Sequence, residues 1–166
     1  MFTVAEIMTR EPYTLKAENT LLDARNLMAE HHIRHVPIVS DNGDLIGVVS
    51  QRDVLAAGDS NLFRERAGGD PREIYVALTS VMTVPVQTVE ESASLRGTAM
   101  HLQHNKLGCL PVVQGSKLVG IITDSDFVAV AINLMEQLEA TEPDEDDDSD
   151  STIIDEIAEF SPDNNP

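Results

Sequence analysis

The chain has 166 residues, with 11 Lys or Arg against 29 Asp or Glu, one Cys and no Trp, and its net charge is −18. A charge of this sign argues against broad nucleic-acid binding and against binding to an anionic membrane surface, because both require a positive protein surface. One Cys cannot form an internal disulfide, no segment approaches the length of an apolar membrane span, and the first residues lack a signal-peptide pattern. We therefore expect a cytoplasmic protein that has neither nucleic acid nor membrane as a partner.

The body of the chain contains an internal repeat. Met8-Thr9 recurs as Met82-Thr83, and Pro37 recurs as Pro111, both at an offset of 74 residues. A turn that is one residue shorter in the second copy reduces the offset to 73, and Asp53 then matches Asp126. Self-similarity of this kind indicates two copies of one structural unit. The sequence divides into a first repeat over 1–57, a linker with a helix from about Pro71 to Leu78 over 58–77, a second repeat over 78–139, and a tail over 140–166.

Each repeat predicts the element order β-α-β-β-α. A short strand around Thr14 precedes a helix from Thr20 to about Glu30, which has apolar residues at helical spacing. Two apolar strands follow, His35–Ser40 and Leu45–Val49, joined by a Gly-containing turn suited to a hairpin. Ser50 then begins the last helix as its N-cap. The second copy predicts these elements at Thr88, from Ser94 to about His104, at Cys109–Gln114 and Leu118–Ile122, and from Thr123.

The apolar strands do not alternate with polar residues, so both of their faces are expected to be buried. Helices would cover one face and the other repeat would cover the second. The predicted fold is therefore an α/β protein of the α+β type, in which two repeats pack as a pseudo-two-fold pair. Short helices flank each repeat, at Thr3–Met8 and Ser80–Met82 on one side and at Val54–Ala57 and Phe127–Leu138 on the other. The last helix is more apolar than the surface of one small domain needs, which predicts a homodimer. The apolar residues of that helix are Ala129, Val130, Ile132, Leu134, Met135 and Leu138.

The tail carries 11 acidic residues and no Lys or Arg from Ala140 to Pro166. Dense like charge with little to bury predicts disorder. One apolar island interrupts it, with Ile153, Ile157 and Phe160 on one helical face. This island is either a nascent helix in a solubilising tail or a short docking motif for an apolar groove.

The repeated pattern is similar to a tandem pair of cystathionine β-synthase (CBS) domains, the Bateman-module family. The similarity covers about residues 3–130, and it rests on Ile7-Met8-Thr9, on His35 to Val39, on Gly47 to Asp53, and on their second copies at 81–88, 110–113 and 120–126. The resemblance implies a regulatory module that senses energy or metabolites, with no catalysis and no cofactor. It implies two clefts between the repeats that bind AMP, ADP, ATP or S-adenosylmethionine, pairing into a dimer, and an unidentified regulated protein as partner.

Two copies of one short motif, Ser50-x-x-Asp53 and Thr123-x-x-Asp126, are the first candidates for ligand binding. A carboxylate one turn into a helix can accept hydrogen bonds from both ribose hydroxyls, and the helix start offers N–H groups to a phosphate. In the family this Asp holds the ribose and the Ser or Thr faces the phosphate. The same spacing is also that of a capping box, which needs no ligand.

The candidates for contact with adenine surround the two prolines. They are Thr14, Arg34, His35, Val36 and Pro37 in the first repeat, and Thr88, Cys109, Leu110 and Pro111 in the second. The first repeat carries Arg34, His35 and Arg52 where the second has Gly108, Cys109 and Ser125. Because Arg is the usual partner of phosphate, an AMP-like ligand is expected at the first site. Alternatively, these Arg side chains are ordinary solvated surface.

Two other function classes fit the sequence less well. One is a non-catalytic interaction adaptor in which the ligand clefts are vestigial. The other is a metal-dependent hydrolase that uses Asp124 and Asp126. A zinc site at His31-His32-x-x-His35 is disfavoured because those residues straddle the end of a helix and the start of a strand.

Overall fold

The computed structural model describes residues 2–59 and 76–140. The predictions for the linker helix, for the disorder of the tail and for its apolar island fall wholly or mainly outside these residues, and they stay predictions. The chain divides after Val130 into two compact units. The first unit holds both repeats, and the described part of the second is the end of the last helix together with Ala140.

Apart from the first strand of each repeat, the helices and strands of the described residues follow the predicted order. In chain order they are a 3₁₀ helix Val4–Glu6, β1 Thr9–Arg10, α1 Leu21–His31, β2 His35–Val39, β3 Leu45–Ser50, α2 Gln51–Asp59, a second 3₁₀ helix Leu78–Ser80, α3 Leu95–Asn105, β4 Cys109–Gln114, β5 Lys117–Thr123 and α4 Asp124–Glu139. The predicted mixed α/β fold is confirmed.

The strands predicted at Thr14 and Thr88 are much shorter than expected. Each is a single parallel bridge at the next residue, Leu15 with Ile38 and Val89 with Val112. After Leu15 the chain turns away from the sheet. The turn is held by a hydrogen bond from the Lys16 N–H to Asn19 Oδ1, at 2.7 Å. The predicted strand is therefore reduced to one contact point on β2, and its counterpart is reduced in the same way on β4.

Each central hairpin is antiparallel, and a glycine makes its turn. β2 pairs with β3 and β4 pairs with β5. Gly43 and Gly115 take φ values of +82° and +63° in these turns, a region that favours glycine. The turns contact each other across the two repeats, since Asp44 accepts a hydrogen bond from Ser116 Oγ at 2.5 Å and pairs with Lys117 Nζ at 2.9 Å. These contacts lower the pKa of Asp44, with the Ser116 hydrogen bond as the main cause.

The first residues of each repeat pack against the other repeat. Val4 and Met8 lie in the core of the second repeat, and β1 pairs with β5 through Thr9 and Ile121. In the reciprocal exchange, Leu78 is buried in the core of the first repeat and Thr83 bridges to Val48. The two repeats therefore interlock. The short flanking helices were expected to contribute to a homodimer. Their fully buried residues, Val4 and Leu78, are instead covered within the chain and not by a second copy.

Two glycines make room for this exchange. A Cβ on Gly120 would lie 2.7 Å from Met8 Sδ, and a Cβ on Gly47 would lie 2.5 Å from Met82 Sδ. The repeated methionines thus pack directly on the repeated strand glycines, each across the junction between repeats.

The end of α4 from Ala131 onward is exposed throughout. Its large apolar side chains include Ile132, Leu134, Met135 and Leu138, with exposed fractions of 47%, 54%, 53% and 69%. Among residues 2–59 and 76–140, no helix is long and apolar enough to cross a membrane.

Candidate functional site

A cavity of about 900 Å³ lies between the two repeats and takes its walls from both. The first repeat contributes the start of β2, the end of β3 and the start of α2. The second contributes the segment before α3, one side of α3 with the turn that follows it, and the start of α4. The polar or charged lining residues are Arg34, His35, Ser50, Gln51, Arg52, Asp53, Thr83, Gln87, Gln103, Lys106 and Asp124. Apolar surface comes mainly from Val48, Pro85, Val86, Ala99, Leu102, Leu107, Pro111 and Phe127.

Ser50 and Asp53 form a capping box at the start of α2. Asp53 Oδ2 accepts from the Ser50 N–H and from Ser50 Oγ, both at 2.7 Å, and the Asp53 N–H donates to Ser50 Oγ at 3.3 Å. Thr123 and Asp126 are arranged alike at the start of α4, at 2.6 and 2.9 Å. The capping alternative is thus the geometry observed. It orients the Asp53 carboxylate at the cavity wall, and the hydrogen bonds described for that carboxylate use only Oδ2.

The charged side chains of the cavity are three basic and two acidic residues: Arg34, Arg52 and Lys106, with Asp53 and Asp124. Arg34 spans the two repeats, because its Nη2 lies 2.9 Å from Ser125 Oγ and 3.3 Å from Asp124 Oδ1. The N-terminus of α2, with its positive end of the helix dipole, also lies at this wall. The cavity therefore has a positive excess on the side where Asp53 is located.

His35 and Gly108 meet near the junction of the repeats. A Cβ on Gly108 would lie 2.6 Å from His35 Nε2, so the imidazole covers the space that a side chain would take. Burial lowers the pKa of His35, and the nearby Asp124 partly opposes that shift. Burial also raises the pKa of Cys109 to about 12, which leaves no appreciable thiolate at neutral pH. Cys109 therefore contributes packing rather than nucleophilic chemistry.

The structure brings only part of the predicted site residues together. Those that line the cavity are Arg34, His35, Ser50, Arg52, Asp53, Cys109 and Pro111. Val36 and Pro37 are instead fully buried in the sheet, and Thr88 and Leu110 line a smaller cavity of about 270 Å³ beside α3. Thr14 is exposed, Thr123 and Asp126 are partly buried, and all three lie outside both cavities.

The grouping of the site residues also differs from the prediction. Each site was expected to draw its residues from one repeat, with Thr14 beside Arg34 and Asp53. The cavity instead joins Asp53 to Thr83, Gln87 and Gly108 of the second repeat. The reason is the exchange of the leading segments, which places 83–87 against β3. By the same pairing, Thr9–Arg10 lies against β5, which ends at Thr123.

Sequence reasoning missed several lining residues, among them Gln51, Thr83, Gln87 and Lys106. The Met8-Thr9 and Met82-Thr83 repeat could have indicated Thr83 and Gln87, if each copy had been paired with the strands of the other repeat. Lys106 carries no sequence signal, because its position depends on the left-handed turn that ends α3, where its φ is +57°.

In the described part of the chain, no three His, Cys, Asp or Glu side chains are grouped in a way that could hold a metal ion. The His31 imidazole stacks on Tyr13 with ring centroids 3.7 Å apart.

Comparison with known proteins gives consistent matches over both repeats. Residues 4–60 and 78–133 each match the CBS domain family. A Vibrio cholerae protein assigned to acetoin utilization (AcuB) has a crystal structure 48% identical to this chain, covering 86% of this chain and 99% of its own, with a TM-score of 0.72. The crystal structure of CBSX2 in complex with AMP is 29% identical and covers 81% and 99%, with a TM-score of 0.69; CBSX2 is a protein of Arabidopsis thaliana.

The first curated relatives are longer than this chain. Homoserine O-acetyltransferase of Methanocorpusculum labreanum is 32% identical over 122 residues, which are 73% of this chain and 22% of that enzyme. The chain spans about a fifth of the length of the first curated relatives it matches.

Proposed function

The chain belongs to the CBS domain family, and we propose that it is a non-catalytic regulatory module that binds an adenine nucleotide in the cleft between its repeats. The observation that carries this proposal is the cavity itself, in which the Asp53 carboxylate lies on the same wall as Arg34 and Arg52. That wall offers a ribose acceptor beside phosphate donors. The complex of the related CBSX2 with AMP supports this class of ligand.

Each part of the ligand has a matching surface. We assign the ribose hydroxyls to Asp53, whose capping hydrogen bonds use Oδ2, because a carboxylate can accept from two neighbouring hydroxyls. The phosphate is assigned to Arg52 and Arg34, since guanidinium groups form charge-assisted bonds with phosphate oxygens. The adenine is assigned to the apolar side of the cavity, which includes Val86 and Leu107. This arrangement favours AMP over adenosine, and ADP, ATP and S-adenosylmethionine are the other candidates.

Regulation would come from the junction between repeats. A ligand that contacts Asp53 on one side and Gly108 on the other stabilises one angle between the repeats, and it shifts the equilibrium only by its differential affinity for the two arrangements. The regulated protein would respond to that angle. The relation to AcuB suggests acetoin utilization as a process in which to look for it.

A second candidate is an interaction adaptor whose cleft is vestigial. The exposed apolar residues along α4, such as Met135 and Leu138, favour this alternative because they offer a surface for a second protein. The two candidates differ in one observable property, which is whether adenine nucleotides bind.

The proposal is tested by isothermal titration calorimetry with AMP and with adenosine. Arg52→Ala is expected to weaken AMP by about 10- to 150-fold, the loss of one charge-assisted contact, and to leave adenosine nearly unchanged. Asp53→Ala is expected to weaken both ligands, because it acts on the ribose. Arg25→Ala, which removes an exposed Arg of α1 outside the cavity, is the matched control for net charge.

Equal losses of AMP and adenosine in Arg52→Ala would remove the phosphate role of Arg52. Absence of binding by the wild-type protein would leave the adaptor as the better explanation. Because Asp53 also caps α2, thermal melting of Asp53→Ala must show that the variant is still folded.

A further inference from the structure

We propose that Asp124 determines which adenine nucleotides the cleft accepts, by disfavouring ligands with long phosphate chains. This inference rests on the proposed nucleotide site and adds a specificity-determining residue to it. The carboxylate would act in two ways: it competes with phosphate for Arg34, and it repels each additional phosphate charge.

The position of Asp124 is fixed by the backbone. It is the first residue of α4, and its N–H donates to the carbonyl oxygen of Gly108 at 3.1 Å. Both Asp124 and Gly108 line the cavity. Asp124 is therefore held in the cavity lining by a hydrogen bond that does not involve its side chain, so substitution of the side chain leaves the attachment in place.

Asp124 is already paired with Arg34, the cation that a phosphate would need. Its Oδ1 lies 3.3 Å from Arg34 Nη2, and the side chains of Arg34 and Asp124 are 55% and 53% exposed. A phosphate that binds Arg34 must displace this carboxylate or share the guanidinium with it. Ser125 Oγ, at 2.9 Å, is a second partner of the same nitrogen and carries no charge.

The charge of Asp124 acts on other side chains of the same cavity. It raises the pKa of Cys109 as the second cause after burial, and it opposes the lowering of the pKa of His35. Because the charge of Asp124 acts on two lining residues of the cavity, it would also act on an anionic ligand bound there. Because a triphosphate carries roughly two more negative charges than a monophosphate, it is disfavoured more.

The first repeat provides a natural comparison. The residue equivalent to Asp124 is Gln51, which begins α2, lines the same cavity and donates its N–H to the Arg34 carbonyl oxygen at 2.8 Å. The two helix starts thus present one carboxylate and one amide to the cavity from equivalent backbone positions. Replacing the carboxylate at position 124 by an amide, or the amide at position 51 by a carboxylate, therefore changes the charge of the cavity while the backbone hydrogen bonds stay in place.

The experiment is isothermal titration calorimetry of wild type, Asp124→Asn, Ser125→Ala and Gln51→Glu with adenosine, AMP and ATP. Asp124→Asn is expected to leave adenosine unchanged and to strengthen AMP by about fivefold and ATP by about tenfold or more, at a screened cost of roughly two- to threefold per unit charge. Gln51→Glu is expected to weaken ATP most, to weaken AMP less and to leave adenosine unchanged. Ser125→Ala, the uncharged control on the same Arg34 nitrogen, should change AMP and ATP by similar factors.

Equal changes for all three ligands in Asp124→Asn, or no change for ATP relative to AMP, would overturn the role of Asp124 while leaving the nucleotide site intact. Failure of the wild-type protein to bind any of the three would instead refute the nucleotide site, and with it this inference. If Asp124→Asn melts far below wild type, Gln51→Glu alone decides, since a charge-independent response there also overturns the proposal.

Discussion

The His35 imidazole is a titratable group at the place where the two repeats meet. It is half-buried, it packs over Gly108, and it faces Arg34, Arg52, Asp53 and Asp124. Burial is the main cause of its lowered pKa, because a charged imidazolium loses hydration there. The protein therefore holds His35 neutral over a wider pH range than the unfolded chain does.

We expect stability to depend on pH through His35. Above its ordinary pKa of about 6.5, the side chain is neutral in both states and contributes no pH dependence. As pH falls below that value, the unfolded chain takes up the proton first, so the free energy of unfolding decreases until the lowered folded pKa is reached. Denaturant melts from pH 8 to pH 5 should show a smaller decrease for His35→Gln than for wild type. Parallel curves for the two proteins would contradict this.

The sequence predicts Arg34, Arg52 and Asp53 as site residues, and the structure places all three in the lining of one cavity. They lie near one another because Arg34 precedes β2, Arg52 and Asp53 follow β3, and the two strands pair as one hairpin. The sequence assigns Asp124 to the hydrolase alternative and not to the neighbourhood of Arg34. Its actual place beside Arg34 depends on a contact between repeats, which spacing within one repeat cannot reveal.

At the scale of elements, the interlocking of the repeats depends on glycine in β3 and β5. A Cβ on Gly120 would lie 2.7 Å from Met8 Sδ and 3.0 Å from the Thr9 carbonyl oxygen. The methionine can move, but the Thr9 backbone is held by its pairing with Ile121. A side chain at position 120 is therefore expected to weaken the contact between β1 and β5.

Gly120→Ala is expected to destabilise the protein by about 1–3 kcal/mol, the usual cost of overpacking a core. Gly97→Ala in α3 is the matched control, because its Cβ would meet only Ser94, at 3.5 Å or more. That substitution should stabilise the helix by about 0.5–1 kcal/mol. Urea melts measure both, and a Gly120→Ala protein as stable as Gly97→Ala would refute this account of the exchange.

The elements themselves were largely predictable, and their partners were not. Apolar periodicity located α1 and α3 to within a residue, and the structure shows that Thr20 and Ser94 cap them. The strand at Thr14 was overestimated because the capping turn from Lys16 to Asn19 competes with it. Pairing of Val4 and Met8 with the second repeat is a tertiary preference that local pattern does not encode.

At the scale of the whole molecule, the exposed apolar residues of α4 support the proposal of a homodimer. We expect a dimer at micromolar concentration in sedimentation velocity. Met135→Glu should shift it toward monomer, because a charge buried in an apolar contact is costly. Asn133→Glu adds the same charge to an exposed polar position of the same helix and should leave the dimer intact. A wild-type monomer, or equal effects of both substitutions, would contradict this interface.

The central claim is that an adenine nucleotide binds between the two repeats, and a crystal structure grown with saturating AMP tests it most directly. The account predicts AMP in the cavity, with its ribose at Asp53, its phosphate at Arg52 and Arg34, and the Arg34–Asp124 contact opened. An empty cavity at saturating AMP, or AMP bound only outside the cleft that Asp53 and Gly108 share, would contradict it.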